Sequence, residues 1–250
     1  MQTKEMKAGG YRYIPGVMQY SAGVGPLEGY TIVRERFSKP VPMAKGFELI
    51  GKRLEEMGQP KTAFCACELR SPGQFSEEAF AAFNKVYAGT LREWGVMEGD
   101  DNPVARSNVC PVHNPPVEPS FHAFCYTVPS SDNAASFVIA GSGEAPEGKG
   151  DYASVTVCHG DTSEKGLREK AKFVLGEMER RMSFFGAGWE QTTAVQLYTV
   201  FDAHPLFVSQ MAERGVIENG ITWHNCKPPV VGLDFEMDCR RVLNERVLFQ

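Results

Sequence analysis

"NPVARSNVCPVHNPPVEPSFHAFCYT" at residues 102–127 and "ITWHNCKPPVVGLDFEMDCRR" at residues 221–241 share a Pro-Pro-Val triplet and, at similar spacing, a phenylalanine and a cysteine. Only the first places an arginine, Arg106, inside its opening apolar run of Val104, Ala105 and Val109. Only the second ends in alternating acids, Asp234, Glu236 and Asp238, interleaved with Leu233, Phe235, Met237 and Cys239. A chain that carries one pattern twice, with different chemistry each time, reads as a tandem duplication whose copies have diverged.

The rest of the chain supports that reading. "AGVGPLEG" (residues 22–29) and "AGSGEAPEG" (residues 140–148) each follow a β-prone run, as a strand entering a glycine-rich turn would. "FELIGKRLEEMG" puts Phe47, Ile50, Leu54 and Met57 on one helical stripe, and "LREKAKFVLGEMERRMSFFG" does so with Leu167, Ala171, Val174, Met178, Met182 and Phe185. Gly58 and Gly186 close these helices. A strand and a second helix follow in each half: Ser76 with Glu77 and Glu78 is an N-cap and acidic first turn for the stripe Phe80, Phe83 and Tyr87, and Pro205 to Gly215 spans the counterpart. The expectation is an α+β fold of two units, residues 10–130 and 131–246, each a mixed sheet with two helices on one face. Residues 247–250, "VLFQ", read as a tag-linker remnant.

Composition bounds the function. An apolar fraction of 42% supports a full core, and a net charge of −5 with no basic run argues against nucleic acid or an anionic membrane as partner. No run is long enough to span a bilayer and the N-terminus lacks a secretion signal, so a cytoplasmic location is expected. The seven cysteines show no CxxC spacing and read as free, mostly buried thiols; Cys65 and Cys67, two apart, are expected on one strand face. The glycine-rich segments lack the lysine or helix start of a phosphate loop. No metal and no cofactor is expected, and the partner is a small molecule. Asp202 and His204 beside Pro205 read as a helix-entry turn.

"FNKVYAGTL" (residues 83–91) followed by "PVARSNV" (residues 103–109) resembles the Asn-x-x-Tyr helix and Pro-Ala-Arg-Ser strand of the RidA (YjgF/YER-type) family of trimeric imine and enamine deaminases. The resemblance implies two tandem RidA-like (chorismate-mutase-like) units and a homo-oligomer, a trimer, with clefts between copies. It implies that Arg106 anchors a substrate carboxylate and that Asn84 is the helix asparagine. The position of the water-orienting glutamate falls on His122 in the first half, a departure, and on Glu236 in the second, where Trp223 or His224 replaces the arginine. The residues agree with that chemistry: a guanidinium matches a carboxylate, and an imidazole titrates near neutrality. His122 is expected on one strand face with Phe124 and Tyr126, and Glu118 is the candidate ion-pair partner of Arg106. The expected site therefore holds Arg106, His122 and Glu236 as catalytic groups, with Asn84, Glu118, Tyr126 and His224 contacting substrate. The acidic strip is either a solvated edge or a polar interface holding Glu236 as base. The implied function is hydrolytic deamination of a small carboxylated enamine or imine, aminoacrylate-like or aminomuconate-like. A non-catalytic ligand-binding or interaction protein, or a chorismatase-like hydrolase, is the alternative.

Overall fold

The computed structural model describes residues 2–132 and 134–249. The first half comprises β1 (Lys4–Met6), β2 (Tyr11–Ile14), β3 (Gly23–Pro26), β4 (Tyr30–Pro42), α1 (Met43–Glu56), β5 (Phe64–Arg70), α2 (Glu77–Glu93), β6 (Ala105–Pro111) and β7 (Ser120–Pro129). The second comprises β8 (Phe137–Gly143), the one-turn α3 (Tyr152–Val155), α4 (Glu164–Ser183), β9 (Ala194–Tyr198), α5 (His204–Leu206), β10 (Thr222–His224), β11 (Cys226–Lys227), β12 (Glu236–Arg241) and β13 (Asn244–Leu248). No helix among the described residues is long and apolar enough to cross a membrane.

These strands form two mixed sheets, ordered β11-β6-β5-β7-β4-β13 and β1-β2-β3-β8-β12-β9-β10. Each sheet takes strands from both halves. The N-terminal strands join the second half's sheet through β3 and β8, whereas β11 and β13 return to pair with β6 and β4. The two glycine-rich segments are therefore neighbours and not equivalents: Gly23 and Val24 pair with Ile139 and Val138. The counterpart of β8 is β4, since each leads towards its half's first long helix. Val247 and Leu248, within the segment read as a linker remnant, pair with Arg36 and Phe37.

Helices cover the outer faces. Phe47, Ile50 and Leu54 of α1 and Phe80, Phe83, Tyr87 and Leu91 of α2 share a core with Phe64, Phe121, Phe124 and Tyr126. The Ser76 side chain accepts from the Ala79 N–H at 3.2 Å, which fixes the start of α2. On the other sheet α4 buries Ala171, Val174, Met178 and Met182 against Leu197, Phe235 and Met237. The second helix of the second half is shorter than expected: α5 runs at once into a π-helical turn, Phe207–Ala212. Its buried residues, Leu206, Met211 and Val216, recur every five positions, a spacing that suits the wider turn.

The inner faces pack on each other. Tyr11, Tyr13, Val24 and Ala140 of one sheet meet Ile32, Cys65, Ala66, Ala105 and Cys125 of the other. Beside this apolar patch lies a polar layer: Arg34 pairs with Glu68 at 2.6 Å and Glu245 at 3.0 Å, Arg240 pairs with Glu245 at 2.7 Å, and Ser107 donates to Asp238 across the sheets at 2.6 Å. The acids of β12 are thus neither a solvated edge nor an interface between copies. Glu236 and Asp238, each 4% exposed, are folded against the other half of the same chain.

Two bulges alter the strand faces read from alternation. One in β5, between Phe64 and Ala66, turns Cys65 into the inter-sheet core while Cys67 faces α2, so the pair does not share a face. All seven cysteines are free, six of them buried.

Because each sheet is completed by strands from the other half, fragments cut at Asp132 are expected to copurify when co-expressed and to unfold in one thermal transition. Two fragments that fold separately and do not associate would contradict the exchanged strands.

Candidate active site

Arg106 leaves β6 on the side facing α2 and is 2% exposed. Its guanidinium lies 4.7 Å from the Tyr87 ring centroid and 5.5 Å from those of Phe83 and Tyr20. Nη2 donates to Asn84 Oδ1 at 2.7 Å, and Nη1 is buried without a partner. Glu118, the expected ion-pair partner, is exposed in the loop before β7, where its main-chain carbonyl accepts from Ser120. Taking a cation from water costs several kcal/mol, of which each aromatic face returns roughly 0.5–2 kcal/mol. Arg106 is therefore a buried cation for which the chain itself supplies no counter-ion among the described residues.

The missing anion has a place to sit. A cavity of about 280 Å³ opens beside Arg106, lined from the first half by Tyr20, Phe80 and Asn108 and from the second by Gly141, Glu147, Tyr152, Leu233 and Glu236. Arg106 and Glu236 thus meet in one cavity of one chain. Burial, then the neighbouring Asp238 and Glu144, hold the Glu236 carboxyl well above the ordinary carboxylate range, against the opposing pull of Arg70 and Arg106. Gly141 makes the approach possible, because a Cβ there would collide with Glu236 Oε1.

The neighbouring acids are already engaged. Asp238 accepts from Ser107, from Gln196 at 2.8 Å and from Tyr198 at 2.9 Å. Glu144, fully buried, accepts the N–H groups of Asp234 and Phe235 at 2.6 and 3.1 Å and lies 3.6 Å from the buried Lys170, which also pairs with Asp234. These contacts fix the entry to β12. Glu236 is left as the acid of the strip whose side chain makes no hydrogen bond among the described residues.

The other expected site residues lie elsewhere. His122 sits at a bulge of β7, so Phe121 joins Phe124 and Tyr126 in the core and the imidazole turns towards the polar layer. There burial and then Arg70 push its pKa down to about 3. Tyr126 donates to Glu35 at 3.1 Å inside the first core. His224 stacks on Tyr198 with centroids 5.1 Å apart and bonds Gln196, its pKa pushed down to about 4 by burial and then Arg70. His204 and Asp202 form an exposed turn. Polar cavity residues missing from the expected site include Asn108, two positions after Arg106 and legible from strand alternation, and Tyr20, Glu147 and Tyr152, which lie outside the strands.

A family model described as 2-aminomuconate deaminase CnbZ matches residues 3–246. The chain belongs to this family. It is 46% identical over 242 residues to a 2-amino-5-chloromuconate deaminase from Comamonas testosteroni, covering 96% of each chain. A solved chorismatase aligns with a TM-score of 0.54 at 9% identity, over 88% of this chain and 77% of the other, a likeness of fold. The CnbZ family model runs through both halves, including the strands that carry Arg106 and Glu236.

A group whose folded pKa is raised favours the folded state while protonated. The contribution is complete below the unfolded value near ~4.3 and is lost as pH rises towards the folded value. Glu236→Gln, permanently neutral, is therefore expected to raise Tm by about 2–4 °C at pH 8 and to leave it unchanged at pH 4, read by calorimetry. An unchanged or lowered Tm at pH 8 would mean that Glu236 is not buried as the acid.

Proposed function

We propose that the protein hydrolytically deaminates a 2-aminomuconate-type enamine, a conjugated dicarboxylate with an amino group beside one carboxylate, to a 2-oxo acid and ammonia. The observation that carries this reading is the meeting, in one cavity, of a buried arginine with no carboxylate partner among the described residues and a buried glutamic acid, Glu236, whose pKa its surroundings raise. Family membership and the 46% identical relative support the substrate class. The contact between Asn84 and Arg106 supports the RidA-like origin of the site, since it joins the helix and strand motifs on which that resemblance rests.

The chemistry follows from these groups. The substrate carboxylate takes the free Nη1–H of Arg106, which fixes the carbon bearing nitrogen in the cavity. Neutral Glu236 gives its proton to the enamine carbon, and the C–N unit becomes an iminium ion. The resulting carboxylate removes a proton from water as its oxygen bonds to the iminium carbon. Glu236 then returns that proton to nitrogen, ammonia leaves, and the last hydroxyl proton restores the acid. One water is consumed and one ammonia released. Both residues come from one chain, so the step needs no second copy.

Incubation with freshly generated 2-aminomuconate, following loss of the diene absorbance and appearance of ammonia, tests the reading. Arg106→Lys is expected to lose most activity, because a point charge does not reproduce the planar fork. Glu236→Gln is expected to lower kcat roughly 10²–10⁴-fold. Activity of the parent should fall as pH rises through the elevated pKa of Glu236. No ammonia from the parent, or full activity in Glu236→Gln, would reject it.

A further inference from the structure

The cavity contains a second buried donor without a partner. Asn108 is 4% exposed, lines the cavity, and its Nδ2 makes no hydrogen bond. Its orientation is set from behind: the fully buried Ser71 hydroxyl donates to Asn108 Oδ1 at 2.9 Å, and Ser71 is itself held where its N–H continues the β5–β6 ladder onto Val109 O. The amide oxygen is thereby occupied and the NH₂ group left free. An orphaned buried amide donor costs about 1–3 kcal/mol, a cost relieved when a ligand oxygen fills it.

Arg106 and Asn108 are two residues apart on β6 and project to the same face, with roots about 6.6–6.8 Å apart. Their polar ends are drawn apart: the guanidinium lies against Tyr87 and Tyr20 and bonds Asn84, whereas the amide is tied to Ser71. Among the described residues lining the cavity Arg106 is the one cation, and the carboxylate of Glu147 is already held by Tyr20 at 2.9 Å and Arg181 at 2.8 Å. A ligand with an acid at each end would find its cation at Arg106 and needs a neutral donor for its other end.

We propose that Asn108, oriented by Ser71, donates to the second carboxylate of the substrate and makes the cavity selective for dicarboxylates. This rests on the deaminase reading and names the residue that sets its substrate class. Asn108 is a binding residue; Ser71 is a positioning residue that acts through it.

Calorimetric binding of muconate, an unreactive dicarboxylate, against sorbate, the same six-carbon diene with one carboxylate, tests it. The parent is expected to prefer muconate by roughly 10–100-fold, the scale of a hydrogen bond to a charged group. Asn108→Leu should abolish that preference by weakening muconate alone. Ser71→Ala, which frees the amide to rotate and perturbs packing less, should reduce it about 3–10-fold with sorbate unchanged. A parent without the preference, or a preference that survives both substitutions, overturns the proposal. Turnover of 2-aminomuconate by the parent separates the two claims. An Asn108-dependent preference without turnover removes the deaminase reading alone, and turnover with a preference indifferent to Asn108 removes this inference alone.

Discussion

A buried guanidinium whose nearest partners are an amide oxygen and aromatic rings is the constraint around which the site is built. Guanidinium groups are not neutralised in proteins, so the cost of burying Arg106 falls on the rings and on Asn84, and in the proposed mechanism on the substrate anion. Among the described residues no carboxylate pairs with Arg106, and Glu236, in the same cavity, stands in a setting that disfavours its charge. Had Glu236 ionised readily, it would itself serve as a counter-ion for Arg106. Burial beside Asp238 and Glu144 disfavours that charge, and the proposed mechanism uses the resulting acid as its proton donor.

The face-to-face packing of the two sheets is what brings these groups together. β6 carries Arg106 and β12 carries Glu236, and they belong to different sheets that meet face to face through Ser107, Asp238, Gln196 and Glu68. Neither half contains both functions. The stretches at 102–127 and 221–241 differ in complementary ways: the first carries the arginine of the cavity, Arg106, and the second its buried acid, Glu236, with the edge strand β10 paired to β9 as β6 is to β5.

Much of this was legible in the sequence, for identifiable reasons. The helical stripes, the Ser76 cap, the apolar and acidic faces of β12 and the isolation of Arg106 all follow from period and local chemistry. Alternation failed at the bulges: one extra residue at Cys65 and another at His122 change which face each side chain takes, and neither has a signature in residue type. The sequence reads residues 22–29 as a turn after a strand, whereas Gly23–Pro26 is itself strand β3 and the run before it is a turn closed by Val17 and Tyr20, so Tyr20 could not be placed beside Arg106. His224 and Tyr126 are aromatic residues near the right strands, but their packing partners, Tyr198 and Glu35, come from distant positions.

In the proposed mechanism one chain supplies both Arg106 and Glu236 to a single substrate. Co-expression of Arg106→Ala and Glu236→Gln chains, carrying different tags and purified through both, measures it most directly, with deaminase turnover as the readout. Mixed assemblies, if they form, are expected to be as inactive as either variant alone. Recovery of activity in the mixture would place the two groups of a working site on different chains, and the single-chain cavity would not be the active one.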